Sequence, residues 1–194
     1  MPVPPRSCPH AFRDGYLLGG AKGSLCVLLF FSGFTLAAQE RGVVPDEPNQ
    51  LFYLQRDPDD NTVIYQLNIV DGVVDADKPV NVYWIRYAEG GVRKDLNFLQ
   101  RTMAYGISSN PLSNGDFELR LAAYKGHPLR LGYCQTDKTY NVYTTINNRE
   151  AVLERIFVRI DGGSALSPNI LYFELTGRDV TTRARVSERI KPDQ

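Results

Sequence analysis

The 194 residues are poor in the side chains that build metal and nucleophile centres, with three cysteines and two histidines in all. A structural zinc site draws its three or four ligands mainly from those two types, so the count leaves little room for one. An excess of one charge is also missing. With 22 basic and 22 acidic side chains, the chain has no global field that would draw nucleic acid. No Gly-x-Ser-x-Gly elbow occurs, and Gly90-Gly91 is not followed by the Lys-Ser/Thr that a phosphate-cradling loop requires. Internal repeats and low-complexity tracts are absent as well.

Long apolar runs are lacking too. The longest, LCVLLFFSGFTL over residues 25–36, follows Lys22 and precedes Ala37 and Ala38. That is the order of a secretory leader: basic flank, short apolar core, small-residue cleavage site. A membrane-spanning helix needs ~20 apolar residues, more than this run supplies. The expected division is a signal peptide over 1–38, a proline-containing linker over 39–50 and one domain over 51–192. The mature chain then has no transmembrane anchor, and its expected location is periplasmic or secreted. Cleavage removes Arg6, Arg13 and Lys22 but only Asp14 among the acids, leaving a net charge of about −2. It also removes Cys8, Cys26 and His10, so that Cys134 and His127 stand alone. A lone cysteine makes no intramolecular disulfide, and stability must come from the core.

What the chain does have is β-forming sequence. DFELRLAAY places Phe117, Leu119, Leu121 and Ala123 alternately with Asp116, Glu118, Arg120 and Tyr124, the period of a strand with one buried face. KGHPLRLGYC follows, and reads as a Gly-containing turn and a second alternating strand. Similar runs occur at LFYLQ, TVIYQLN, VNVYWIRY, TYNVYTTI, LERIFVRI, ILYFEL and VTTRARVSERI. Without a βαβ rhythm, the fold class expected is all-β and mainly antiparallel, a single-domain barrel or sandwich of about nine strands. One packed α-helix is expected near residues 95–105. There Val92, Leu96, Leu99 and Met103 fall at helical spacing, with Asp95 as N-cap, Gly106 as the stop and the apolar stripe laid over the sheet or barrel mouth.

RDPDDNTVIYQLN, residues 56–68, resembles a calcium loop most closely. Asp57, Asp59 and Asn61 match its first three ligand positions, but Thr62 stands where glycine is needed and Asn68 where glutamate is needed. Pro58 and the Asx residues suit a turn between strands instead. His127, before Pro128, reads as an exposed turn imidazole, and Asp161 to Ala165 as a flexible loop between strands. Asp116 and Glu118 share a strand face, as a glycosidase pair would, but Arg120 shares it too and a solvated face explains all three. No catalytic residue, metal ligand or cofactor is assigned.

The aromatic residues point further. In VNVYWIRY, Tyr83, Ile85 and Tyr87 lie on one face while Val82, Trp84 and Arg86 lie on the other. Two partly apolar faces require a second cover: the chain's own helix, a partner or a ligand. Trp84, Arg86, Gln100 and Arg101 are the candidate ligand-binding residues, with tryptophan as flat contact and arginine as orienting group. Arg155, Arg159, Arg183, Arg185 and Arg189 share an outward parity. If their strands were neighbours they would form an anion-facing stripe; cross-strand pairing with acids is the alternative.

The succession LFYLQR, NTVIYQLN, KPVNVYWIRY, LQRTMAYGI and FELRLAAYKGHPL resembles an exported bacterial family of unknown function, domain of unknown function 4833. The resemblance covers nearly all of residues 51–192 and implies a single-domain envelope or secreted protein; it brings no catalytic residue, cofactor or partner. The reading favoured by the residues is a non-catalytic exported β-domain that binds a small ligand or an envelope component, and no nucleic acid. The alternative is a carboxylate-dependent hydrolase acting on an envelope or extracellular glycan.

Overall fold

A computed structural model describes residues 43–57, 61–164 and 168–192. The segment read as a leader, residues 1–38, lies outside the described residues, and so does Asp59 of the calcium-loop-like stretch. Thirteen segments pair as strands: β1 (Gln50–Asp57), β2 (Thr62–Leu67), β3 (Ile69–Val70), β4 (Val73–Val74), β5 (Val80–Arg86), β6 (Val92–Asp95), β7 (Ile107–Pro111), β8 (Phe117–Leu121), β9 (Tyr124–Cys134), β10 (Thr139–Ile146), β11 (Arg149–Gly163), β12 (Pro168–Asp179) and β13 (Arg185–Ile190). Eleven form one sheet in the order β6-β5-β2-β1-β11-β10-β9-β8-β7, with β12 and then β13 joined to β11; β3 and β4 pair by themselves. β1 against β11 is parallel, and the other pairings are antiparallel.

The long strand β11 organises the sheet. Its residues 149–152 pair with β10 and its residues 155–159 with β1, while β12 lines its opposite edge. Two wings therefore leave the same edge of one strand, β1-β2-β5-β6 and β10-β9-β8-β7. Because alternate side chains face one way, each wing can offer an apolar face to a common core. Leu54, Val63 and Trp84 from the first wing join Leu119, Leu131 and Val142 from the second in one buried cluster. Burial along β8 alternates at every residue from Phe117 to Leu121, as its period demands.

The first wing is apolar on its other face as well, where Tyr53, Ile64, Tyr83 and Ile85 form a smaller cluster. The chain covers this face itself, without using the helix. The Tyr83 hydroxyl donates to Glu47 at 3.3 Å, and the Arg93 guanidinium lies 3.6 Å from the Tyr83 ring centre.

Several local expectations need correction. Residues 92–95 are a strand, because Val92 and Lys94 alternate with Arg93 and Asp95 and pair along β5. The helix starts later, as α1 (Phe98–Gln100), and runs into a wider π-type turn over Arg101–Tyr105. Its N-cap is Asn97, not Asp95. Asn97 Oδ1 accepts from the Gln100 N–H at 2.8 Å while Gln100 Oε1 accepts from the Asn97 N–H at 3.0 Å, a reciprocal capping box. Of the supposed stripe only Leu96 is buried; Val92, Leu99 and Met103 are exposed. Residue 106 must be glycine, since a Cβ there would collide with the Arg101 carbonyl.

The β8–β9 hairpin turns at Ala122 and Ala123, before the KGHP segment, because Leu121 pairs with Tyr124. Lys125 to Pro128 form a bulge opposite Arg120, where a proline costs no ladder bond. His127 is half-buried there, its ring 5.5 Å from that of Tyr124 and its Nε2 3.1 Å from Thr144 Oγ1. Asp161, Gly162 and Gly163 extend β11 instead of forming a loop. Buried Cys134 is disulfide-bonded, not a lone thiol.

Candidate functional site

The inner face of the first wing changes character toward one end. Leu54 of β1, Val63 of β2, Trp84 of β5 and Lys94 of β6 stand in register across four strands. Two residues further on, the same parity brings Arg56, Asn61, Arg86 and Val92 to that face. Apolar residues thus give way to polar ones where the strands leave the core. The helical segment after β6 closes over this end, and a cavity of about 250 Å³ results. Trp84 forms part of its wall; Arg56, Arg86 and Lys94 bring three cations, against the single carboxylate of Asp95. Asn61, Asn97 and Gln100 supply amides.

Each wall is held by identifiable contacts. Tyr65 stacks on Phe52 with ring centres 4.2 Å apart, and its hydroxyl donates to the Tyr105 carbonyl at 2.9 Å. Burial pushes the Tyr65 hydroxyl well above the ordinary tyrosine range, with Tyr105 adding to the shift, so it remains a proton donor. The anchored turn places the Tyr105 ring edge-on to Trp84 at 4.9 Å. Arg56 Nη1 donates to the Tyr105 hydroxyl at 3.0 Å, and the Arg56 guanidinium lies 5.5 Å from the Trp84 ring centre, within cation–π reach. Two backbone bonds, Ala122 N–H to Gly106 O and Ala123 N–H to Ala104 O, fasten the turn to the other wing.

The cations differ in how they are held. Arg86 pairs with Glu89 at 2.8 Å. Lys94 is exposed and takes no ion pair among the described residues. Trp84 itself is only 6 % exposed, yet its indole Nε1 has no hydrogen-bond partner among the described residues. Leaving a buried donor unmatched is costly, and this one sits in the wall of the cavity.

Of the residues singled out from sequence, Trp84, Arg86 and Gln100 come together at this cavity. Arg101 does not line it; its Nη2 donates to the Leu96 carbonyl at 3.4 Å. Arg56, Asn61, Lys94, Asp95 and Asn97 were missed. Parity along β1 and β5 could have found Arg56, because it continues the Phe52–Leu54 face that meets Trp84 across β2.

The other candidate groups are internally satisfied. Arg130 Nη1 donates to Asp116 at 2.8 Å and Arg120 Nε to Glu118 at 2.9 Å. Asp57 is ion-paired with Arg159, directly opposite on β11. The five late arginines form no stripe, because β12 lies between β11 and β13. Arg189 pairs with Glu174 at 2.6 Å, Arg183 with Asp137 at 2.9 Å, and Arg155 Nε donates to Gln55 at 2.9 Å. No group of three or more His, Cys, Asp and Glu among the described residues could hold a metal ion.

The sheet thus carries an amide-lined cavity with basic side chains on one wing. Residues 52–189 match the family described as a domain of unknown function (DUF4833), and the chain belongs to that family. No curated protein and no solved structure matches the chain.

Proposed function

We propose that this domain is a non-catalytic binding module whose ligand presents an anionic group, a carboxylate or a phosphate, to the cavity beside Trp84. One observation carries the reading: Lys94, exposed and without an ion pair among the described residues, lines a cavity of about 250 Å³ together with Trp84 and the amides of Asn61, Asn97 and Gln100. Guanidinium and ammonium donors in a partly desolvated concavity favour an anion, and amides with an aromatic wall supply orientation. The size suits a small molecule or the polar end of a larger one. Export through a leader over residues 1–38, with a periplasmic or secreted location, belongs to the same proposal; its support is the order of charge, apolar run and small residues in the sequence. The hydrolase alternative has less support, since a carboxylate pair is what glycoside hydrolysis requires, and the cavity holds Asp95 alone.

Trp84 is the only tryptophan in the chain, which makes its emission a local probe. Titration with inorganic phosphate and with acetate should change that emission saturably for one of them. Lys94→Ala should weaken binding by roughly tenfold, the loss of one charge-assisted contact. No saturable change with either anion, or equal affinity in the variant, would remove this reading.

A further inference from the structure

The short helical segment over the cavity leaves its apolar side chains in solvent. Phe98 is 81 % exposed and Met103 57 %, and Leu99 and Val92 are exposed with them. Solvated apolar groups of this size, three of them on the short helical segment 98–105 and Val92 on the strand before it, mark a surface built to meet something. The charges around them indicate what. Lys94 and Arg101 are exposed on the same stretch of chain, with Asp95 as the nearby acid without an ion pair among the described residues and Glu89 taken up by Arg86; Arg93 is exposed there too, over the Tyr83 ring. An apolar tip ringed by cations complements an interface that is apolar beneath and anionic above, which describes an acidic lipid surface. The other apolar projection offers a contrast: Ile69, Val70 and Val73 on the β3–β4 hairpin are exposed too, but Asp71, Asp75 and Asp77 surround them.

We propose that residues 92–103 dock on a membrane containing anionic phospholipid. Phe98, Leu99 and Met103 enter the acyl boundary, and the cavity beside them receives a lipid phosphate. Asn97 and Gln100 join the two parts, since they flank Phe98 and Leu99 in the chain and line the cavity. The inference rests on the anion-binding reading for its second half, and on the exposed tip for its first.

The test is sedimentation of the chain, as recovered from an exporting host, with vesicles. One set is an equal mixture of phosphatidylglycerol and phosphatidylcholine; the other is phosphatidylcholine alone. Binding to the acidic vesicles should exceed binding to the neutral ones by about tenfold or more, because each cation near such a surface adds attraction. Phe98→Ser combined with Met103→Ser should bring acidic-vesicle binding down to the neutral level while Trp84 emission stays unchanged. Equal binding to both vesicle types overturns the proposal, and so does a double variant that sediments like the native chain. If the native chain is a dimer that the double variant dissociates, the surface belongs to a second copy and the proposal also falls. A phosphate titration without vesicles separates the two readings. Phosphate binding with no vesicle binding sinks only the lipid proposal, whereas failure of both sinks the anion site as well.

Discussion

The two wings that leave β11 are made alike and use their charges differently. Each carries an arginine against an aromatic ring: Arg130 at 4.2 Å from the Tyr143 ring centre, Arg56 at 5.5 Å from that of Trp84. On the β7-to-β10 wing, Arg130 is held between Asp116 at 2.8 Å and Glu150 at 2.9 Å, and there is nothing left for a ligand to satisfy. On the other wing Lys94 takes no ion pair among the described residues, and Trp84 Nε1 has no acceptor there. Matched charges read as architecture. An unmatched cation beside a concavity is the ground for the binding proposal.

The comparison is sharpened first by Trp84, which belongs to both the core and the cavity. Trp84→Ala should cost about 3–5 kcal/mol in chemical denaturation, as loss of a large core side chain does. Trp84→Phe should cost much less, because it keeps most of the volume and removes a buried donor that has no partner.

Next comes a pair of charge deletions. Arg130→Ala strips Asp116 and Glu150 of their shared partner and should lower stability by about 1–2 kcal/mol, discounted for its partial exposure. Lys94→Ala should change stability by less than about 0.5 kcal/mol, as exposed substitutions do, while weakening anion binding. A stability loss for Lys94→Ala as large as that for Arg130→Ala would erase the distinction between the wings.

Acid acts on a third place. The Thr182 backbone N–H at 2.7 Å, the Thr181 N–H at 2.9 Å and nearby Arg149 together hold the Asp179 carboxyl below its ordinary value of 3.8. The folded pKa lies below the unfolded one, so this contribution is present above about pH 4 and is lost as pH falls further. Asp179→Asn should flatten that acid limb in a series of denaturation curves.

Two smaller effects concern metal and processing. A chelator should leave the melting temperature unchanged, since Asp57 is committed to Arg159 and Thr62 and Asn68 cannot serve a calcium loop. Intact mass of the chain from an exporting host should show loss of about 38 residues, the length of a leader. A full-length mass would show instead that the leader is not removed.

The strands were legible because alternation is a local property: Phe117 to Leu121 and Val80 to Arg86 show their faces without reference to any partner. The helix boundary was not, because Asp95 and Asn97 are both good caps and only pairing with β5 commits residues 92–95 to a strand. Asn97-x-x-Gln100 was the better signal in the sequence, a capping box two residues later. The site was half legible. Trp84 and Arg86 follow from the two-faced strand, whereas Arg56 and Asn61 reach the cavity only through the β1-β2-β5 register, which no local pattern reports. Arg101 stands apart from the cavity for a rotational reason, as one step around the helix from Gln100 turns it toward the Leu96 carbonyl. The arginine stripe failed for a topological one, the placing of β12 between the two strands.

The difference between the wings can be read residue by residue from amide and indole resonances of the isotopically labelled chain during a titration with inorganic phosphate. Shifts that saturate together at Arg56, Asn61, Lys94, Gln100 and the single Trp84 indole N–H, with Asp116, Arg130 and Glu150 unmoved, are the expected result. Shifts centred on Arg130, or none at the Trp84 indole at saturating phosphate, would contradict the assignment of the site.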